Sequence, residues 1–113
     1  MKLHFLGTGA ADWDISKANA SQDFRRHSSM LIDGCLLVDP GACIFEFEST
    51  YGYTDLYAGV TDIVCTHKHG DHYNPEAALK VGVKRVYLSQ TWYDIAVAEF
   101  KAAAKRLSAP MPQ

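Results

Sequence analysis

The sequence of 113 residues has the length of one small domain. Hydrophobic residues make up 48% and charged residues 21%, an ordinary balance for a soluble globular chain that can bury one core and no more. The formal net charge of −2 excludes the broad basic footprint of a nucleic-acid coat and a polybasic patch for anionic lipid, while leaving open a nucleic-acid substrate held through a local patch.

Cys35, Cys43 and Cys65 contain no C-x-x-C pair and read as reduced, buried thiols. Residues 1–6 hold too short an apolar run for a signal peptide, and no stretch has the length of a membrane span. A cytoplasmic protein with no membrane partner is the expectation.

In chain order, Lys2 to Leu6 alternates apolar and polar residues and predicts a strand with Leu3 and Phe5 on one face. Gly7-Thr8-Gly9-Ala10-Ala11 ends it in a flexible turn, and Asp12 to Arg26 is polar and aperiodic, hence a loop. Arg25 and Arg26 either meet a phosphate or lie in a solvated loop. Ser28 to Ile32 and Cys35 to Val38 are apolar runs separated by Asp33-Gly34, a strong hairpin signal.

Asp39-Pro40-Gly41 breaks the second run. Ala42 to Thr50 fits a short helix or a strand, with helix preferred; Tyr51 to Tyr57 predicts a loop, and Asp62 to Thr66 a buried strand. Asn74-Pro75 starts a helix, with Asn as N-cap and Pro in the first position, and Gly82 stops it after Val81. Lys84 to Leu88 is a strand. From Ser89 or Gln90 to about Leu107, Trp92, Ala96, Phe100, Ala103 and Leu107 recur at helical spacing, with Asp94 early and Lys105 and Arg106 late, as the helix dipole favours. The last four elements run βαβα, so the fold class is α/β with a mixed sheet.

The chemistry concentrates in Thr66-His67-Lys68-His69-Gly70-Asp71-His72, which holds three of the five histidines directly after a buried strand. In extended chain His67 and His69 project to the same side and can share a metal. Gly70 permits a sharp turn, after which Asp71 and His72 can face a second position. Imidazole and carboxylate ligands of this kind suit Zn2+, with Mn2+ or Fe as alternatives.

This segment resembles the H-x-H-x-D-H motif of the metallo-β-lactamase superfamily of metal-dependent hydrolases. Phe5-Leu6-Gly7-Thr8-Gly9-Ala10, Arg26-His27-Ser28-Ser29-Met30-Leu31-Ile32 and Leu37-Val38-Asp39-Pro40-Gly41 extend the resemblance to the branch containing ribonuclease Z and cyclic phosphodiesterases. The resemblance implies a four-layer αββα sandwich. It also implies His67 and His69 on one metal, Asp71 and His72 on a second, Asp39 orienting the ligands from behind, and a role for Asp71 in catalysis by orienting the attacking hydroxide. A two-zinc phosphodiesterase acting on a small phosphodiester or RNA is then expected.

No histidine follows His72, and the only later aspartate is Asp94. The ligands that the family draws from its second half are therefore missing, and so is the second sheet. The expectation is a single domain over residues 1–113 that corresponds to the N-terminal half of the fold, with helices on one sheet face. Such a half would be a piece of a longer enzyme, or be completed by a homo-oligomer or a complementing chain across its bare face. A non-catalytic metal-binding or interaction fragment is the alternative, and lactam or thiol-ester hydrolysis is the rival chemistry.

Overall fold

A computed structural model of the chain describes residues 1–10, 15–21 and 24–113. Five strands form one mixed sheet in the order β1 (Leu3–Gly7), β2 (Ser29–Ile32), β3 (Leu36–Val38), β4 (Asp62–Val64), β5 (Arg85–Tyr87). The first three run antiparallel to one another, and β3, β4 and β5 run parallel. Three helices accompany them: α1 (Ile44–Thr50) in the β3–β4 crossover, α2 (Pro75–Val81) in the β4–β5 crossover, and α3 (Tyr93–Leu107) after β5. Parallel neighbours need such crossovers because a tight turn only reverses the chain.

Local chemistry accounts for most of the boundaries. Asp33 and Gly34 both take positive φ, 51° and 70°, the conformation of the two central residues of a hairpin turn whose twist matches the flanking strands. Asn74 Oδ1 accepts from Ala77 N at 3.0 Å and Pro75 opens α2. Gly82 closes it at φ 79°, where a side chain would be strained. The last predicted helix opens as a 3-10 turn over Gln90–Trp92, capped by Ser89, before α3 begins at Tyr93.

Two expectations are corrected. Gly7 to Gly9 is not a free turn: Gly9 N donates to Arg26 O at 2.7 Å and Ser28 N to Gly9 O at 3.0 Å, an isolated parallel bridge beside the antiparallel β1–β2 pair. Cys35 is exposed, because it follows the hairpin turn rather than entering the core, whereas Cys43 and Cys65 are buried as expected. The predicted loop from Asp12 to Arg26 contains a 3-10 turn at Ile15–Lys17; Ala11 to Asp14, Gln22 and Asp23 lie outside the described residues.

The sheet has two unlike faces. Leu6, Leu31, Leu37 and Ile63 point inward and join Ile44 and Phe47 of α1, Ala77 and Leu79 of α2, and Ala96, Phe100 and Ala103 of α3 in one core. The register places Phe5, Met30, Val38, Val64 and Tyr87 in a row across all five strands on the opposite face. No described element covers that row: Phe5 is 59% and Tyr87 52% exposed. Among the described residues no helix is long and apolar enough to cross a membrane.

Candidate metal centre

The parallel pair β3 and β4 ends on one edge of the sheet, and the candidate site is built there. In open α/β sheets the carboxyl ends of strands are where crossovers part and leave room for a ligand. Asp39 follows β3 directly, and its backbone N–H donates to Val64 O at 2.9 Å, so the ladder continues into the site. The segment Thr66 to His72 leaves the end of β4.

Asp39 is the hub. It is 7% exposed and sits at φ 50°, a left-handed conformation that costs a non-glycine residue about 1 kcal/mol or more. Its carboxylate holds it there by accepting three hydrogen bonds. Thr66 N donates to Oδ1 at 2.7 Å, and Thr66 Oγ1 donates to Oδ2 at 2.7 Å. His72 Nδ1 donates to Oδ2 at 3.0 Å. The turn that carries Asp39 packs closely on the segment from Thr66 to His72. A Cβ added to Gly41 would lie 2.4 Å from the backbone oxygen of Asp71, so only glycine permits the approach.

The histidines converge after this anchor. His72 N and Tyr73 N both donate to His69 O at 2.9 Å, which coils residues 69–73 into one turn. The His67 ring centroid then lies 4.7 Å from that of His69 and 4.1 Å from that of His72. Ligand atoms of His67, His69 and Asp71 fall within 4.8 Å of one another, as do those of Asp39, His67 and His72. His67 belongs to both groups, and the expected His67/His69 and Asp71/His72 pairs each lie close together, the latter at 3.0 Å between Nε2 and Oδ2. His69 is exposed, and His67, Asp71 and His72 are half-buried.

One contact bears directly on whether a cation fits. His72 Nδ1 gives its proton to Asp39, so in a neutral ring Nε2 carries a lone pair. Nε2 lies 3.0 Å from Asp71 Oδ2. A ring nitrogen and a carboxylate oxygen at this separation are close enough to share one cation. The donor set of imidazole nitrogens and a carboxylate is the set a zinc ion takes.

The surroundings keep the anchor dry on its inner side. Burial, reinforced by the charge of Asp39, pushes the Cys65 thiol up to about 12, so it stays a protonated, packed side chain. Tyr73 is buried against Trp92 and Phe100, at 5.1 and 5.9 Å between centroids, and fixes the loop to α3. Lys68 points away from the cluster and reaches Glu99 Oε1 of α3 at 3.3 Å.

The remaining candidates lie elsewhere. His4 packs edge-on against Phe47 and Tyr53. His27 is half-buried near Gly9 and joins neither ligand group. Arg26 is 3% exposed and pairs with Glu46 through both Nε and a guanidinium NH2, the latter at 2.8 Å, so it is not a phosphate anchor. Thr66 had no role in the sequence reading. Its signal was its position, a hydroxyl residue directly ahead of the first histidine.

No family model matches the chain, and no curated protein matches its sequence.

Proposed function

We propose that this chain carries the metal-binding half of a metallo-β-lactamase-type hydrolase, with phosphodiesters as its substrate class. The single observation that carries the reading is the convergence of ligand atoms of His67, His69 and Asp71 within 4.8 Å of one another, with His72 Nε2 3.0 Å from Asp71 Oδ2. The resemblance of residues 67–72 to H-x-H-x-D-H and of residues 37–41 to the family's acidic turn supports it.

His67, His69, Asp71 and His72 would hold the metal, zinc for preference and manganese or iron as alternatives. Asp39 would orient His72 from behind. A bound divalent ion supplies a water acidified towards neutral pH and a positive charge opposite the oxyanion that develops during attack. Asp71 would steer the attacking water and take its proton. Catalytic zinc uses three protein ligands and an open position, so these four side chains satisfy one ion. A second ion would draw ligands from beyond residues 1–113 or from another chain. The bare sheet face supports a second reading, a metal-binding interaction module without turnover.

Elemental analysis after dialysis tests the metal. The expected result is about one zinc per chain, lost in His67→Ala/His69→Ala; equal metal in both proteins overturns the reading. Turnover is tested with the chain supplemented by whatever segment or partner completes its ligand set. Cleavage of bis-p-nitrophenyl phosphate that disappears in Asp71→Ala is expected. Hydrolysis of a lactam or thiol ester with no phosphodiester cleavage would reassign the substrate.

A further inference from the structure

We infer that Thr66 is a positioning residue, and that its hydroxyl sets which nitrogen of His67 faces a metal. The inference rests on the metal reading above only for its consequence; the hydrogen-bond geometry stands without it. Thr66 Oγ1 lies 2.7 Å from Asp39 Oδ2 and 3.0 Å from His67 Nδ1. A hydroxyl has one hydrogen and two lone pairs. The Asp39 carboxylate can only accept, so the hydroxyl hydrogen goes to it. Thr66 Oγ1 is then left as an acceptor towards His67, and His67 must place its proton on Nδ1. The Nε2 lone pair is thereby freed for a metal.

The effect is opposite to the ring's own tendency. A neutral histidine side chain in water carries its proton mainly on Nε2, which would leave the wrong nitrogen free. His72 needs no such help, because its Nδ1 reaches Asp39 Oδ2 directly at 3.0 Å. One carboxylate thus fixes two imidazoles, the nearer by direct contact and the farther through the threonine hydroxyl. Hydrogen-bond partners behind metal ligands typically change affinity ten- to a hundredfold. Thr66 is exposed and water competes for the same bonds, which places its contribution at the lower end.

The test uses Thr66→Val and Thr66→Ser. Valine keeps the shape and the branched Cβ, and the backbone bond from residue 66 to Asp39 Oδ1 survives in both variants. Long-range 15N-edited spectra of the metal-free chain, at a pH well above the ordinary imidazole range, report the tautomer of each ring. His67 should be protonated on Nδ1 in the wild type and in Thr66→Ser, and mainly on Nε2 in Thr66→Val. His72 should not change. Zinc affinity, measured against a chromophoric chelator, should fall about tenfold in Thr66→Val and recover in Thr66→Ser. Retention of the Nδ1 proton by His67 in Thr66→Val, or undiminished zinc affinity there, overturns the inference. If the wild-type chain binds no zinc, the metal reading falls, and the metal-free spectra still decide the role of Thr66.

Discussion

Glu46→Gln tests whether the buried Arg26 is held by charge or by shape. Arg26 sits among Phe24, Phe47 and Tyr51, with its guanidinium carbon 5.2–5.8 Å from each ring centroid. It donates to Glu46 twice and to Asn19 O at 2.8 Å. The side chains of the pair are 3% and 23% exposed. Removing one partner of a buried pair costs about 3–5 kcal/mol, because the other charge is left without a counterion. Glu46 retains some contact with water, which sets the expectation for Glu46→Gln near 3 kcal/mol, a large share of a small domain's stability. Arg26→Met/Glu46→Gln removes the stranded charge, so it should cost less than the sum of the single variants by about 2 kcal/mol. Urea unfolding of the four proteins gives these values. Additive variants, or a Glu46→Gln cost below about 1 kcal/mol, would refute the reasoning and leave the aromatic cage as the main holder.

The same pair predicts a pH dependence. Burial pushes the Glu46 carboxyl up, but hydrogen bonds from Arg26 and Thr50 and the arginine charge outweigh it and hold it below its ordinary 4.5. A lowered carboxylate stabilises the fold fully above the unfolded value and loses that contribution as pH falls through the folded one. Stability should therefore decline below pH 4.5 more steeply in the wild type than in Glu46→Gln, as read from urea midpoints; parallel declines would refute this. Of the three cysteines, only Cys35 is exposed, and burial raises the Cys43 and Cys65 thiols. A disulfide reagent should titrate one thiol quickly in the native chain and all three after unfolding, with the fast reaction absent in Cys35→Ser. The uncovered row from Phe5 to Tyr87 spans five strands, about 20 Å, and should drive association with a second copy. Light scattering should show a concentration-dependent mass that Phe5→Lys lowers, and a wild-type monomer at every concentration would rule this out.

The elements legible in the sequence were those whose signals are local. Asp33-Gly34, Asn74-Pro75 and Gly82 name their own conformations, and the spacing from Trp92 to Leu107 marks a helix face wherever the helix packs. What escaped was set by partners far along the chain. Arg26 looks like a loop cation until Glu46, 20 positions away, neutralises it. Gly9 reads as a flexible turn because nothing nearby shows its pairing with residues 26–28. Cys35 reads as core because an apolar run does not show where a hairpin turn lifts its first residue clear. At the candidate site, the clustering of histidines and aspartate was visible, whereas the Asp39 hub was only suggested. Asp39 and Thr66 are 27 residues apart, and only the parallel crossover puts the carboxylate behind both imidazoles.

The compactness of the 67–72 segment has a thermodynamic consequence. Four potential donor side chains lie within six consecutive residues, so unfolding does not disperse them, and the denatured chain would keep any chelating capacity they have. A ligand stabilises a fold only by the difference between its affinities for the folded and unfolded chains. If the segment holds a metal, the folded chain's advantage would be the orientation supplied by Asp39 and Thr66, on the order of ten- to a hundredfold, or about 1.4–2.7 kcal/mol. Zinc binding would then raise the melting temperature by much less than its affinity suggests, and that small increment would itself measure how far the hub preorganises its ligands.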